Sequence, residues 1–268
     1  MNSAKPILLV VWAILATSMS PTGSENRATA QEAVKPHVVM LIAEREYETD
    51  RTLPKFAEEH RDDFRSTLVF ADPTDRNRFQ GLESIESADV LLVSVRRRTL
   101  PKEQLDLIRK HVESGKPVIG IRTASHAFCL RNQDPPEGRA AWPEFDQVVF
   151  GGNYTNHHGN QLVTTVYLPD HPNESSEQGV ADKLLSGIDL TMPMTAGGSL
   201  YRVSPLVKET EVLLMGRVEG HPEEPVAWVM RRKDGGRSVY TSLGHVKDFE
   251  GPILPRFLAN AIEWCVAK

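Results

Sequence analysis

Four short apolar runs in the first half of the chain constrain its fold more than any other feature. They are His37-Val38-Val39-Met40-Leu41-Ile42-Ala43, Thr67-Leu68-Val69-Phe70, Asp89-Val90-Leu91-Leu92-Val93-Ser94-Val95 and Pro117-Val118-Ile119-Gly120-Ile121. None shows the polar alternation of a half-exposed strand. Near-continuous apolar strands belong to a sheet covered on both faces. Between them the spacing predicts helices. One covers 52–60, with Leu53, Phe56 and Ala57 on one side; another opens at Leu100-Pro101, with Thr99 as its cap, and ends at Gly115. This βαβ rhythm implies an α/β fold with a parallel sheet and right-handed crossovers.

The second half is less regular. A short helix is expected over 142–150, delivering Gly151-Gly152, and a strand over 162–168, broken by Asp170-His171-Pro172. One or two helical turns are expected over 180–185. Runs 211–216 and 225–230 read as neighbouring antiparallel strands. The turn Asp234-Gly235-Gly236 leads into a further strand that presents His245, and an amphipathic helix over 253–266 closes the chain. No repeat or linker divides residues 35–268, which read as one domain.

The amino terminus reads differently. Lys5, the apolar stretch from Pro6 to Ala16, and Ala28-Thr29-Ala30 ahead of Gln31 have the layout of a secretory signal over residues 1–30. Export to the periplasm or medium is the expectation, with an uncleaved anchor as the alternative. No later segment is long and apolar enough to cross a bilayer, so no membrane association is expected after processing. The formal charge of −5, with no basic stripe, argues against nucleic acid as a partner. Two cysteines, Cys129 and Cys265, are too few for a disulfide framework, although a single bridge between them stays open.

In open α/β sheets, ligands bind where loops leave the carboxyl ends of the strands. Three such segments present histidines: Gly120-Ile121-Arg122-Thr123-Ala124-Ser125-His126, Gly151-Gly152-Asn153-Tyr154-Thr155-Asn156-His157-His158-Gly159-Asn160, and Val239-Tyr240-Thr241-Ser242-Leu243-Gly244-His245. His157 and His245 are the candidate acid–base residues, each able to act as acid, base or metal ligand. Glu44, Arg122, His126 and Tyr154 are the candidate ligand-binding residues. The plainer roles are packing for His245, solvation for His157, pocket shaping for His126 and ordinary surface exposure for Glu44. His158 is expected to point away from His157. His171 and His221, each before a proline, read as turn residues. Arg96-Arg97-Arg98 offers guanidinium donors for an anionic or polyhydroxylated ligand, although a solvated run is the plainer reading for at least two of them. No local metal motif is present, so a divalent metal would need ligands from separate loops. Gly151-Gly152 and Gly197-Gly198 lack the strand–turn–helix context of a dinucleotide site.

The stretch from Ala88 to His126, the Gly-Gly-Asn-Tyr-x-x-His loop, and Pro225-Val226-Ala227-Trp228 followed by Gly236-Arg237-Ser238-Val239-Tyr240-Thr241-Ser242-Leu243-Gly244-His245 together resemble a trehalose-utilisation (ThuA-like) domain, from about Lys35 to the end. The resemblance implies a flavodoxin-like three-layer sandwich with a mainly parallel central sheet and antiparallel additions in the C-terminal half. It also implies kinship with class I glutamine amidotransferases and a link to carbohydrate metabolism. The turn after Ile121 has no cysteine, and Cys129 is expected inside the following helix, so an amidotransferase thiolate is ruled out at that turn. Ser125 and Thr123 are the remaining hydroxyls, but no Gly-x-Ser-x-Gly elbow is present. The expected partner is a small carbohydrate or an oxidised sugar such as a keto-sugar. The expected chemistry is isomerisation, elimination or hydrolysis by His157 and His245, with Glu44 or Arg122 orienting the ligand. A carboxylate pair for glycoside hydrolysis is not evident. The alternative is a non-catalytic sugar-binding or interaction domain.

Overall fold

A computed structural model describes Met1, residues 34–170 and residues 179–267. The residues read as a secretory signal, beyond Met1, and His171 lie outside the described residues. Among the described residues, no helix is long and apolar enough to cross a membrane.

The strands in chain order are β1 (His37–Ala43), β2 (Arg65–Phe70), β3 (Val90–Val95), β4 (Leu100–Pro101), β5 (Val118–Ile121), β6 (Arg139–Ala140), β7 (Asn156–His157), β8 (Thr165–Tyr167), β9 (Met194–Thr195), β10 (Tyr201–Arg202), β11 (Thr210–Arg217), β12 (Glu224–Arg231) and β13 (Arg237–Thr241). Nine of them form one sheet in the order β2-β1-β3-β5-β13-β12-β11-β8-β9. Its first five strands are mutually parallel. From β13 onward every pairing is antiparallel. The four apolar runs of the first half are thus β1, β2, β3 and β5, each a strand of the parallel section.

Helices cover both faces. α1 (Thr49–Glu59) and α5 (Ile253–Val266) pack on one side, and α2 (Lys102–Glu113) on the other. Alternate residues of β1 divide between these layers. Val38, Met40 and Ile42 join Phe56 and Phe257, whereas Val39 and Leu41 join Leu105, Ile108, Phe150 and Trp228. In α5 the buried residues Ile253, Leu254, Phe257, Leu258, Ala261, Ile262 and Cys265 recur at three- and four-residue intervals, which is the helical period read from the sequence. Two short helices, α3 (Val180–Leu184) and α4 (Val246–Glu250), complete the fold.

Three local expectations are corrected. α2 is capped at Pro101, not Thr99, whose hydroxyl is buried without a partner. The strand expected over 162–168 spans only Thr165–Tyr167, because the chain is still turning at Leu162, whose N–H donates to Gly159 O at 3.0 Å. Cys129 lies beyond a single 3-10 turn, Arg122–His126, and not inside a helix. Cys129 and Cys265 are both free thiols.

Gly120 allows the closest packing in the sheet: a Cβ there would lie 2.4 Å from Phe150 Cζ. The Phe150 ring therefore rests directly on β5, with its own carbonyl accepting from Trp228 Nε1 at 2.6 Å. Behind the same layer sits His111 of α2, buried, with Nε2 donating to Pro117 O at 3.1 Å and Nδ1 unpartnered. Burial first of all pushes its pKa down to about 4. The unfolded chain binds this proton below the ordinary value of 6.5 and the folded protein only below about 4. Stability from neutral His111 is therefore present above pH 6.5 and is lost as pH falls toward 4, by up to ~3 kcal/mol. His111→Gln, which keeps a donor for Pro117 O, is expected to remove that acid-side loss in the difference between variant and parent denaturation curves.

Candidate functional site

The carboxyl edge of the parallel strands is where the chain departs from ordinary backbone geometry. Glu48, Arg97, Arg122 and Asn132 are the non-glycine residues with positive φ among those described, and Glu48, Arg97 and Arg122 stand in the loops that leave β1, β3 and β5. Such residues persist only where their surroundings over-determine them, and they concentrate at functional sites.

Arg122, at φ 44°, follows the last residue of β5. Its carbonyl accepts from Tyr240 Oη at 2.6 Å. Its guanidinium donates to Ser242 O at 2.7 Å and approaches Ser199 O at 3.4–3.5 Å. It lies between two rings, 4.2 Å from the Tyr47 centroid and 4.6 Å from that of Tyr201. This is a buried cation held by carbonyls and π-faces, with Nε unpartnered. The two tyrosines extend the cluster in opposite directions. Tyr47 approaches the His245 ring at 5.9 Å, while Tyr201 approaches Tyr154 at 4.7 Å, His126 at 6.1 Å and His157 at 6.3 Å.

On the Tyr201 side a cavity of about 610 Å³ opens to solvent, lined by Arg97, Ser125, His126, Cys129, Arg131, Glu144, Asp146 and Tyr154 among others. His126 stacks on Tyr154 with centroids 4.4 Å apart, and its Nδ1 meets Ser125 Oγ at 3.1 Å. Burial, then the charges of Arg97, Arg96, Arg122 and Arg131, hold its pKa well below the ordinary histidine value, so the ring is neutral at pH 7. Asp146 begins a wide π-type helical turn, Asp146–Phe150. Its Oδ2 accepts from Tyr154 N at 2.8 Å and its Oδ1 has no partner. Burial raises its pKa to about 7, against the lowering effect of the Tyr154 N–H. Gly152 admits this arrangement, since a Cβ there would lie 2.5 Å from Asp146 Oδ1. Burial also pushes the Cys129 thiol up, so it is no thiolate at neutral pH.

Among the residues marked in the sequence, His126 and Tyr154 line the cavity, and Arg122 sits behind it. Glu44 turns its carboxylate onto its own loop, accepting from the N–H groups of Glu46 and Tyr47 and from Thr49 Oγ1. That places Tyr47 against Arg122. His157 pairs with Tyr201 across β7 and β10, its Nδ1 bonded to His158 O at 2.6 Å, and it is not in the cavity lining. His158 turns away as expected, its ring 4.5 Å from His221. His245 lies four residues beyond the end of β13 and caps α4, Nδ1 accepting from Lys247 N at 3.2 Å. It too lies outside the lining. No contact joins His157 to His245; each reaches the cluster through a different tyrosine. Gly197-Gly198 serves close approach, since a Cβ would lie 2.7 Å from His245 Nδ1 at Gly197 and 2.5 Å from Arg122 Nη2 at Gly198.

Comparison with known proteins bears on this arrangement. A family model described as trehalose utilisation, ThuA, matches residues 43–265. The chain belongs to the ThuA family. A ThuA-like protein from Bacteroides uniformis is similar in structure, with a TM-score of 0.60 and 18% identity over 90% of this chain and 96% of that one. Another, from Parabacteroides merdae, has a TM-score of 0.56 and 12% identity over 87% of this chain and 90% of its own. At these identities the likeness is one of fold. No curated protein sequence matches the chain. The expected α/β sandwich of the ThuA family is therefore what the chain forms.

Asp146, Tyr47, Tyr201 and Asp248 were not marked from the sequence. Asp146 carried a usable signal: Phe145, Asp146, Val149 and Phe150 share one helical face, so a carboxylate stands among residues spaced for burial. Asp248 ties the Gly197 loop to the Gly244 turn, accepting from both N–H groups at 2.6 and 2.9 Å. Nothing local announces that role. Among the described residues, no three His, Cys, Asp or Glu side chains group as metal ligands.

Proposed function

We propose that this ThuA-family chain acts on a carbohydrate or keto-sugar by general acid–base chemistry in the cavity beside Tyr201, with Asp146 and His126 handling the proton. Asp146 carries the reading: a buried carboxyl in a solvent-open cavity, one oxygen unpartnered, with a pKa of about 7. A group poised there gives up or takes a proton at physiological pH. His126 is held neutral in the same cavity and is therefore an acceptor. Two groups whose surroundings drive their pKa values apart supply an acid and a base. Isomerisation or elimination next to a carbonyl, or hydrolysis, fits such a pair. His157 and His245, favoured by sequence, are one tyrosine removed and receive a supporting role. Export, expected from residues 1–30, is part of the same proposal.

The test is turnover of a panel of disaccharides and their keto derivatives, with and without chelator. His126→Gln is expected to lower turnover by roughly 10²–10⁴-fold. His157→Ala and His245→Ala are expected to lower it by less than about tenfold, since neither touches the cavity. The reverse ranking would return the chemistry to His157 and His245. Activity lost to chelator and restored by a divalent ion would put a metal into the mechanism. Binding of sugar with no turnover by the parent protein would favour a sugar-binding domain.

A further inference from the structure

We propose that the cavity selects a sugar bearing an anionic group, a carboxylate or a phosphate, with Arg97 and Arg131 as its receptors and the buried Asp146 carboxyl in the wall beside them. The inference deepens the proposed function and rests on the cavity being the ligand site.

The arginines of this edge differ in how they are satisfied. Arg96 pairs with Glu46 at 3.0 Å, and Arg98 donates to Ala43 O at 3.1 Å. Among the described residues no carboxylate pairs with Arg97 or Arg131, and both line the cavity. Arg97 is half-buried and held in place, its backbone at φ 50° with N–H donating to His126 O at 3.1 Å. A partly desolvated guanidinium without a counter-charge is costly alone and gains most from a forked oxyanion. The opposing charge in the lining is small. Glu144 is exposed at the rim, His126 is neutral, and Tyr154 and Cys129 keep their protons. Asp146 is largely protonated below pH 7.

The charge state of Asp146 adds a signature. Protonated, the carboxyl leaves the cavity wall neutral; ionised, it repels an incoming oxyanion. Affinity for an anionic ligand should therefore fall as pH rises through about 7, whereas affinity for a neutral sugar should not.

Calorimetric titration of the full chain with gluconate, glucose 6-phosphate and glucose, at about pH 6 and about pH 8, tests this. At least one anion is expected to bind at least about tenfold tighter than glucose at the lower pH, and the better of the two identifies its source as carboxylate or phosphate. Arg97→Gln and Arg131→Gln should each weaken that anion by about tenfold or more, Arg97→Lys by less, with glucose affinity unchanged. Asp146→Asn should remove the pH dependence and keep the binding. Equal affinity for glucose and both anions, no binding of any of the three, or anion affinity insensitive to both arginine variants would overturn the proposal. Turnover of neutral keto-sugars that depends on His126, with no anion preference, would overturn this inference alone and leave the proposed chemistry standing.

Discussion

Asp146→Asn is expected to lower turnover by roughly 10²–10⁴-fold while making the folded protein more stable above neutral pH. The activity loss follows from removing a cavity carboxyl whose pKa burial raises to about 7. The stability gain follows from the sign of its shift. Burial raises the carboxyl from 3.8 to about 7, so between those values the folded protein holds a proton that the unfolded chain has released. The favourable contribution is complete below pH 3.8, declines as pH rises, and is gone above about 7. There the ionised, buried carboxylate costs up to ~4 kcal/mol relative to a neutral isostere. Asparagine keeps an acceptor for the Tyr154 N–H and carries no charge. Thermal unfolding at about pH 8 should show the variant melting on the order of 10 °C higher, with a smaller difference at about pH 5. A variant that is both less stable at high pH and fully active would reject the assignment. A site residue whose removal stabilises the fold is also the pattern expected where activity and stability trade against each other.

Arg122→Ala is expected to destabilise the chain by ~3–5 kcal/mol. The substitution leaves Ser242 O without its 2.7 Å donor and opens a void between Tyr47 and Tyr201. An orphaned buried carbonyl and a cavity each cost in the range of 1–3 kcal/mol. Arg122→Lys should recover less than half, because an ammonium cannot stack flat between two rings while reaching the Ser242 and Ser199 carbonyls together. Denaturant unfolding measures both. A loss below about 1 kcal/mol in Arg122→Ala would show that the guanidinium clamp contributes little to the fold.

Much of the architecture was legible along the chain. β1, β3 and β5 are apolar at nearly every position because both faces are covered, and that pattern is local. α5 was read to the residue, since its period is also local. The turn carrying Arg122 and His126 was legible as a strand end and the Tyr154 loop as one delivered by a short helix; in the fold His126 stacks on Tyr154 with centroids 4.4 Å apart. Residues that owe their chemistry to long-range neighbours were not legible. β13 comes last in the chain yet inserts beside β5, parallel to it, which sets the Ser242 carbonyl over Arg122 and places His245 one ring away. No periodicity encodes that order.

The same distinction separates the favoured histidines from Asp146. His157 and His245 stand out because imidazole is reactive wherever it sits, but the β7–β10 pair sets His157 against Tyr201, the turn after β13 sets His245 near Tyr47, and both lie outside the cavity lining. Asp146 looks like an ordinary carboxylate until Gly152 and Tyr154 fold over it and exclude water. By itself, then, the sequence determined the layers, the parallel strands and the strand ends that carry Arg122 and His245, because apolar period and strand-end glycines act over a few residues. Only the tertiary structure decided which groups share one cavity and which of them titrates near neutrality, because desolvation and charge pairing depend on segments far apart in the chain.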